Sequence, residues 1–122
     1  MPRHRDRRYA AGYPRTARVN AVLAQVLGDA LERLRDDDER LALLTVTGVG
    51  VDPDLRHATV FMASLPEGAA AALEGRRPQL QAAIAREVRL KRTPTLSFVA
   101  DPAIAAAERV EEALRRARHD DA

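Results

Sequence analysis

The sequence of 122 residues contains no cysteine and few aromatic residues, and these absences exclude several classes of protein. Without cysteine the chain cannot hold a disulfide framework, a thiolate zinc site or a cysteine nucleophile. Aromatic residues make up 3% of the chain, which is too few to predict a platform on which nucleic-acid bases stack. There is no run of the roughly 18 apolar residues that a membrane-spanning helix needs, and the N-terminus, MPRHRDRRY, has no apolar core. We therefore expect a soluble cytoplasmic protein that does not contact a membrane.

Lysine is nearly absent as well, so arginine carries almost all of the positive charge. Lys91 is the only lysine among twenty cations, and the net charge of +2 hides a strong segregation along the chain. Residues 1–18 contain six arginines and one acid, residues 76–92 contain six cations and one acid, and residues 32–40 hold five acids and three arginines. Two basic zones therefore stand on either side of one acidic turn.

Groups that could perform catalysis or hold a metal are few and scattered. His4, His57 and His119 lie far apart, without a carboxylate at ligand spacing. The two serines do not occur in a Gly-x-Ser-x-Gly turn. The short Gly48-Val49-Gly50 motif leads into a turn and not into a helix whose N-terminus could bind phosphate. We therefore predict a protein that is not an enzyme and that uses no metal and no cofactor.

A long apolar repeat begins after Thr16 and predicts an amphipathic helix. Its apolar residues recur at i, i+3, i+4 and i+7, and they are Val19, Val22, Leu23, Val26, Leu27, Ala30, Leu31 and Leu34. Thr16 is the expected N-cap, and the acidic run 36–39 is expected to form the exit loop. Residues 1–14 have no periodicity and are rich in arginine, so we interpret them as a flexible tail.

Two segments rich in β-branched residues follow and predict a β-hairpin. We expect strands at 43–47 and 58–62, joined by a turn in which Pro53 presets φ. Gly48 and Gly50 are expected to form a bulge or a close approach of the backbone. The residues of the second strand that share one face are Ala58, Val60 and Met62.

The second half of the chain predicts two helices, a strand and a final helix. The two helices span 67–74 and about 78–90, and a basic elbow, Gly75-Arg76-Arg77-Pro78, joins them. The strand at 95–100 alternates, and Asp101-Pro102 begins the final helix. The residues expected to share one face are, in the helix at 78–90, Leu80, Ile84 and Val88, and in the strand at 95–100, Leu96, Phe98 and Ala100. In the final helix they are Ala103, Ala107, Val110 and Leu114. The order α-β-β-α-α-β-α predicts an α+β domain with helices on one face of a three-stranded sheet.

A line of cations follows the predicted helix 78–90. Arg76 and Arg77 lie at its N-terminal end, where free backbone N–H groups and the helix dipole favour an anion. The cations of its outer stripe and of the segment after it are Arg86, Arg89, Lys91 and Arg92. Charge alone leaves two interpretations open, a solvated face that complements the helix dipole and a surface for the phosphate backbone of RNA.

Four sequence patterns, taken in order, resemble a known family. They are Arg15-x-x-Arg18-Val19, Val49-x-Val51-x-x-Asp54-Leu55-x-x-Ala58-x-Val60, Arg89-Leu90-Lys91-Arg92-Thr93-Pro94-x-Leu96-x-Phe98-x-x-Asp101, and Arg109-Val110. Together they are similar to bacterial ribosome-binding factor A, and their order and spacing extend over about residues 15–114. The chain departs from the Ala-x-Gly helix break of that family and from the Gly-x-x-Gly loop of KH domains, because Arg76-Arg77-Pro78 stands there.

The resemblance implies both a fold and a function. The implied fold is a KH-like domain of type II topology, α-β-β-α-α-β with a C-terminal helix. The implied function is that of a ribosome assembly factor, which binds the free small (30S) ribosomal subunit and its 16S rRNA and assists late maturation, including processing of the 5′ end. We expect a monomer. The alternative is a small basic α+β module for protein interaction or regulation that does not bind RNA.

The expected domain and its contact residues can be assigned along the chain. The domain would span 15–117, between an N-terminal tail at 1–14 and a C-terminal tail at 118–122. The candidate RNA-binding residues are Arg15, Arg18, Arg76, Arg77, Arg86, Arg89, Lys91 and Arg92. The arginines of the N-terminal tail, which we interpret as an electrostatic arm, are Arg3, Arg5, Arg7 and Arg8.

Overall fold

A computed structural model describes the backbone of residues 14–121 and the side chains of residues 16–119. Within that range the elements follow the predicted order, α-β-β-α-α-β-α, with one additional 3₁₀ turn at Glu39–Leu41. Their bounds are Pro14–Arg35 (α1), Val46–Val51 (β1), His57–Met62 (β2), Glu67–Gly75 (α2), Arg77–Glu87 (α3), Thr95–Ala100 (β3) and Pro102–Asp121 (α4). The predicted flexible tail, apart from Pro14, lies outside the described residues.

The apolar repeat forms α1 and supplies much of the core. Its buried residues are Leu23, Val26, Leu27, Ala30 and Leu31. The helix already includes Pro14, so the prediction that Thr16 is its N-cap is wrong, and Thr16 is buried within the helix. Proline is tolerated in an opening turn because its missing N–H would have no intrahelical partner there. At the other end, Arg35 donates a hydrogen bond to the carbonyl of Leu44 and ties α1 to the segment before the sheet.

The first strand lies later in the sequence than predicted. The apolar segment 43–47 was expected to be a strand, but β1 begins at Val46, and Leu43 is 90% exposed. The strand runs through both glycines, with an irregular register between Val46 and Gly48 as expected of a bulge. Gly50 lies beneath the ring of Phe61, since a Cβ built on it would be 3.5 Å from Cε2. Packing against that ring compensates for the low strand propensity of glycine.

The three strands form one sheet in the order β1-β2-β3. β1 and β2 are antiparallel, which confirms the hairpin, and β2 pairs with β3 in parallel across the crossover through α2 and α3. Asp52 and Asp54 shape the hairpin turn, because the Asp52 carbonyl accepts from the Leu55 N–H and the Asp54 carboxylate accepts from the Arg56 N–H. Leu55 adopts a φ of 62° there. The inward residues of β2 are the predicted Ala58, Val60 and Met62.

The helix α3 is shorter than predicted. It ends at Glu87, and Val88 has extended dihedrals, φ −124° and ψ 132°. The prediction of a helix reaching residue 90 is therefore wrong, as is the placement of Arg86 and Arg89 on one helical stripe. The chain has to turn into β3, and Pro94 disfavours helical dihedrals at the residue before it. Gln81 of α3 accepts a hydrogen bond from the Leu96 N–H and holds the helix against β3.

The final helix, α4, differs from the others because it projects away from the core. The helices α1, α2 and α3 contribute to one apolar core with the inner face of the sheet, whereas Val110 and Leu114 of α4 are 59% and 53% exposed. The predicted packing of helices on one face therefore applies to α1, α2 and α3. The helix also continues to Asp121, so the predicted boundary of the domain at residue 117 does not coincide with a helix end.

The start of α4 is fixed by Asp101, the predicted N-cap. Its carboxylate accepts from the Ala103 N–H at 2.9 Å and from the Thr47 hydroxyl at 2.7 Å. The Thr47 hydroxyl is the main cause that lowers the pKa of Asp101, and the Ala103 N–H adds to it. The cap therefore joins α4 to β1, two elements that are 54 residues apart in sequence.

Candidate nucleic-acid interface

The predicted cations lie in separate places around α3. Arg76 lies between α2 and α3, Arg77 is the first residue of α3, and Arg86 lies near the other end of that helix. The cations of the loop between α3 and β3 are Arg89, Lys91 and Arg92, and all three are exposed. Since α3 has 11 residues and a helix rises about 1.5 Å per residue, the two ends are roughly 16 Å apart. The distance between the two groups of cations matches the length of a nucleic-acid strand with two or three phosphates better than the size of one compact anion.

Arg76 is held in place by neighbouring side chains. It is 24% exposed, donates to Gln79 Oε1 at 3.0 Å and lies 4.0 Å from a carboxylate oxygen of Asp38. The pKa of Asp38 is lowered, chiefly by the side-chain hydrogen bond from Arg40, with Arg76 making a smaller contribution. The charge of Arg76 is therefore partly balanced within the protein.

Arg77 is also paired within the protein. Its guanidinium donates to Glu74, the residue three positions earlier in α2. A surface pair of this kind contributes little to stability and can exchange its partner for a stronger anion. The family resemblance assigned a helix break to residues 76–78, and in the structure the break consists of Arg76 alone, followed directly by Arg77 at the start of α3. Both arginines are ion-paired.

Arg86 lies beside Arg33, a residue that the sequence reasoning missed. Arg33 comes from the end of α1, lines the same groove as Arg86 and is 3.7 Å from the carboxylate of Glu87. In the sequence Arg33 belongs to the acidic stretch 32–40, so charge counting assigned it to the wrong zone. Its position off the apolar stripe of α1 was the one signal that could have shown it to be at the surface.

The four cations at the end of α3 share a property that distinguishes them from Arg33, Arg76 and Arg77. Among the residues that the structure describes, none of these four has an ion-pair or hydrogen-bond partner for its side chain. They are the loop cations and Arg86. Because their side chains are exposed and unpaired, they can bind an external anion without first giving up an internal contact.

The remaining predicted contact residues lie elsewhere or outside the described region. Arg18 is exposed, but it is roughly 22 Å along α1 from Arg33 at a rise of 1.5 Å per residue, so the fold does not bring it to α3. The side chain of Arg15 lies outside the described residues. The tail arginines, which also lie outside them, are Arg3, Arg5, Arg7 and Arg8.

The described residues offer no constellation for bond-making chemistry. Between residues 16 and 119 there is no cluster of three or more His, Cys, Asp or Glu side chains that could hold a metal ion. Over the same part of the chain, no helix is long and apolar enough to cross a membrane. His57 lies 3.9 Å from Asp52 at the hairpin turn, where both side chains are largely exposed to solvent. The arrangement of charge is suited to holding an anionic partner.

Comparison with known proteins gives consistent matches. The family model described as Ribosome-binding factor A matches residues 15–114. The chain is 40% identical over 111 residues to the ribosome-binding factor A of Rubrobacter xylanophilus. The aligned region covers 88% of this chain and 90% of that protein. It is also similar to the crystal structure of ribosome-binding factor A from Thermus thermophilus, with a TM-score of 0.63 and 36% identity over 70% of this chain and 93% of that chain.

A second solved structure is similar and shows its protein on a ribosomal particle. It is a homology model of the T. thermophilus factor fitted into a cryo-EM map of a complex with the 30S subunit. The TM-score is 0.57 with 36% identity, over 68% of this chain and 91% of that chain. The structural neighbours have a KH-like fold, which confirms the predicted α+β, KH-like class.

Proposed function

This chain belongs to the ribosome-binding factor A family, as the resemblance in its sequence predicted, and we propose on that premise that it binds the free small ribosomal subunit. It contacts the 16S rRNA there and assists late maturation, including processing of the 5′ end. It acts in the cytoplasm, where ribosomal subunits mature, and it acts as a monomer. Members of this family are ribosome-binding factors and not enzymes, so the prediction that the chain is not an enzyme is confirmed.

The observation that carries the proposal is the group of unpaired cations at the end of α3. Arg86 and the loop residues Arg89, Lys91 and Arg92 present four positive charges to solvent without a carboxylate partner among the described residues. An RNA backbone provides phosphates at regular spacing, and arginine binds phosphate with two parallel hydrogen bonds. Recognition of this kind reads backbone and shape, which agrees with the scarcity of aromatic residues.

The turn between α2 and α3 supports the same surface with weaker contacts. KH domains commonly hold RNA at this turn through a Gly-x-x-Gly loop, and this chain has Arg76-Arg77-Pro78 instead. Both arginines would have to exchange an internal carboxylate, Asp38 or Glu74, for a phosphate. We therefore assign the main contact to the other end of α3 and a secondary contact to this turn.

Charge reversal at the two ends of α3 tests this assignment. We expect Arg86→Glu with Arg89→Glu to weaken binding to free small subunits at least tenfold, because two phosphate contacts are lost and two repulsive charges are introduced. Arg76→Glu with Arg77→Glu should weaken binding less, because those arginines are already paired. Binding is measured by sedimentation of the labelled protein with purified subunits at fixed salt.

A matched control separates these contacts from net charge. Arg56→Glu with Arg118→Glu changes the charge by the same amount at two exposed positions away from α3, and it should bind almost like the wild type. All three variants should keep the unfolding temperature of the wild type, since none of the six changed positions is buried. Equal weakening by the control and by the Arg86/Arg89 variant would show that only net charge matters and would refute the assigned surface.

A further inference from the structure

A groove between α1 and α3 has the shape and the chemistry of a second binding site. Its volume is about 250 Å³. It is lined by Ala30, Arg33 and Leu34 from α1 and by Gln79, Ala82, Ala83 and Arg86 from α3. Because small alanine side chains form its floor, and Ala30 and Ala83 are buried, the two helices leave a recess that longer side chains would fill.

The polar groups that line the groove are donors. Arg33 and Arg86 contribute one guanidinium from each helix. The side-chain oxygen of Gln79 accepts a hydrogen bond from Arg76 at 3.0 Å, which leaves the amide NH₂ group of Gln79 as a donor. Among the described residues, no carboxylate lines the groove. A recess with two guanidinium groups and an amide donor is complementary to an anion with several acceptor oxygens.

We propose that this groove binds one phosphate group of an RNA backbone between Arg33 and Arg86, with Gln79 donating a third hydrogen bond. The inference rests on the proposed function, and it adds Arg33 and Gln79 to the contact residues. The volume exceeds the roughly 30 Å³ that one water occupies in the liquid several times over, so a phosphate fits. The described residues that line the groove include no aromatic ring on which a base could stack.

Glu87 is the internal competitor for this phosphate. Its carboxylate is 3.7 Å from Arg33, and the two side chains are 44% and 57% exposed. The separation is longer than a charge-assisted hydrogen bond, and an exposed pair of this kind is weak. A phosphate that bonds to both guanidinium groups therefore displaces Glu87, and removal of the Glu87 charge should strengthen binding. A purely structural role for Arg33 would predict no such gain.

Three single variants, one double variant and a control test the groove through their affinity for free small subunits at several salt concentrations. We expect Arg33→Gln and Arg86→Gln each to reduce affinity several-fold and to lower the salt slope by about one phosphate contact. The double variant should lose less than the two single losses multiplied together, because both residues hold the same phosphate. Glu87→Gln should bind more tightly than the wild type. Arg56→Gln is the matched control and should leave affinity and slope unchanged.

The outcomes separate this inference from the proposed function. If the wild type binds with a steep salt dependence and Arg33→Gln has the same affinity and salt slope, the phosphate site in the groove is refuted and the proposed function stands. Fully independent losses for the two arginines would place them on different phosphates and refute the shared site. The same losses are expected with protein-free 16S rRNA, and losses confined to intact subunits would assign the groove to a protein partner and overturn the inference. If the wild type binds neither particle nor rRNA, the proposed function fails.

Discussion

Raising the salt concentration from 50 to 200 mM is expected to weaken binding of this protein to free small subunits by about a thousandfold. The reason is the release of counterions, since each phosphate that an arginine or lysine neutralises frees condensed cations into solution. The cations around α3 that supply these contacts are Arg76, Arg77, Arg86, Arg89, Lys91 and Arg92. Six contacts give a logarithmic slope of about −4 to −5 on the scale for single-stranded or duplex nucleic acid.

The same titration separates the proposed function from its rival. A basic module that binds an acidic protein would show a shallower dependence, because carboxylates on a folded partner carry no comparable atmosphere of condensed counterions. For the variant with Arg86→Glu and Arg89→Glu, the slope should be less steep than for the wild type, by the amount that about two phosphate contacts contribute. A wild-type slope shallower than about −2 would refute binding through the phosphate backbone and favour the protein-interaction module.

Two substitutions of the same chemical kind are expected to differ strongly in their effect on stability. Leu27→Ala should lower the free energy of unfolding by about 2–5 kcal/mol, because Leu27 is 1% exposed on the inner face of α1 and its removal leaves a cavity in the core. Leu43→Ala should change it by less than about 0.5 kcal/mol, since Leu43 is 90% exposed. The free energies follow from urea unfolding monitored by circular dichroism.

The comparison tests the position of β1 as well as the core. If residues 43–47 formed the strand that the sequence suggested, Leu43 would lie in the sheet and its truncation would cost stability. A loss above about 1 kcal/mol for Leu43→Ala would therefore contradict the start of β1 at Val46. The two variants share the chemistry of the change, so a difference between them reports burial alone.

Features that repeat over many residues could be predicted from the sequence. The apolar repeat of α1 extends for more than four turns and fixes both the helix and its buried face. The alternation in β2 placed Ala58, Val60 and Met62 inward, where they are buried. The cap at Asp101 was recognisable because an aspartate followed by proline is a local signal.

Features that depend on tertiary contact could not be predicted in this way. β1 runs through Gly50, despite the low strand propensity of glycine, because the ring of Phe61 covers it. The end of α3 at Glu87 depends on the path of the chain into β3, although residues 89–92 are good helix formers. Arg33 and Arg86 line the same groove although they are 53 residues apart in the sequence. No spacing in the sequence indicates that they lie close together. The amphipathic pattern of α4 predicted packing, yet its apolar side is exposed.

The central claim is that this protein binds the free small ribosomal subunit, and co-sedimentation with purified ribosomal particles tests it most directly. The protein is mixed with free small subunits, free large subunits or complete ribosomes at low salt, and the bound fraction is measured after centrifugation. We predict that it sediments with free small subunits and remains in the supernatant with the other two particles. Equal binding to large subunits, or no binding to small subunits, would contradict the claim.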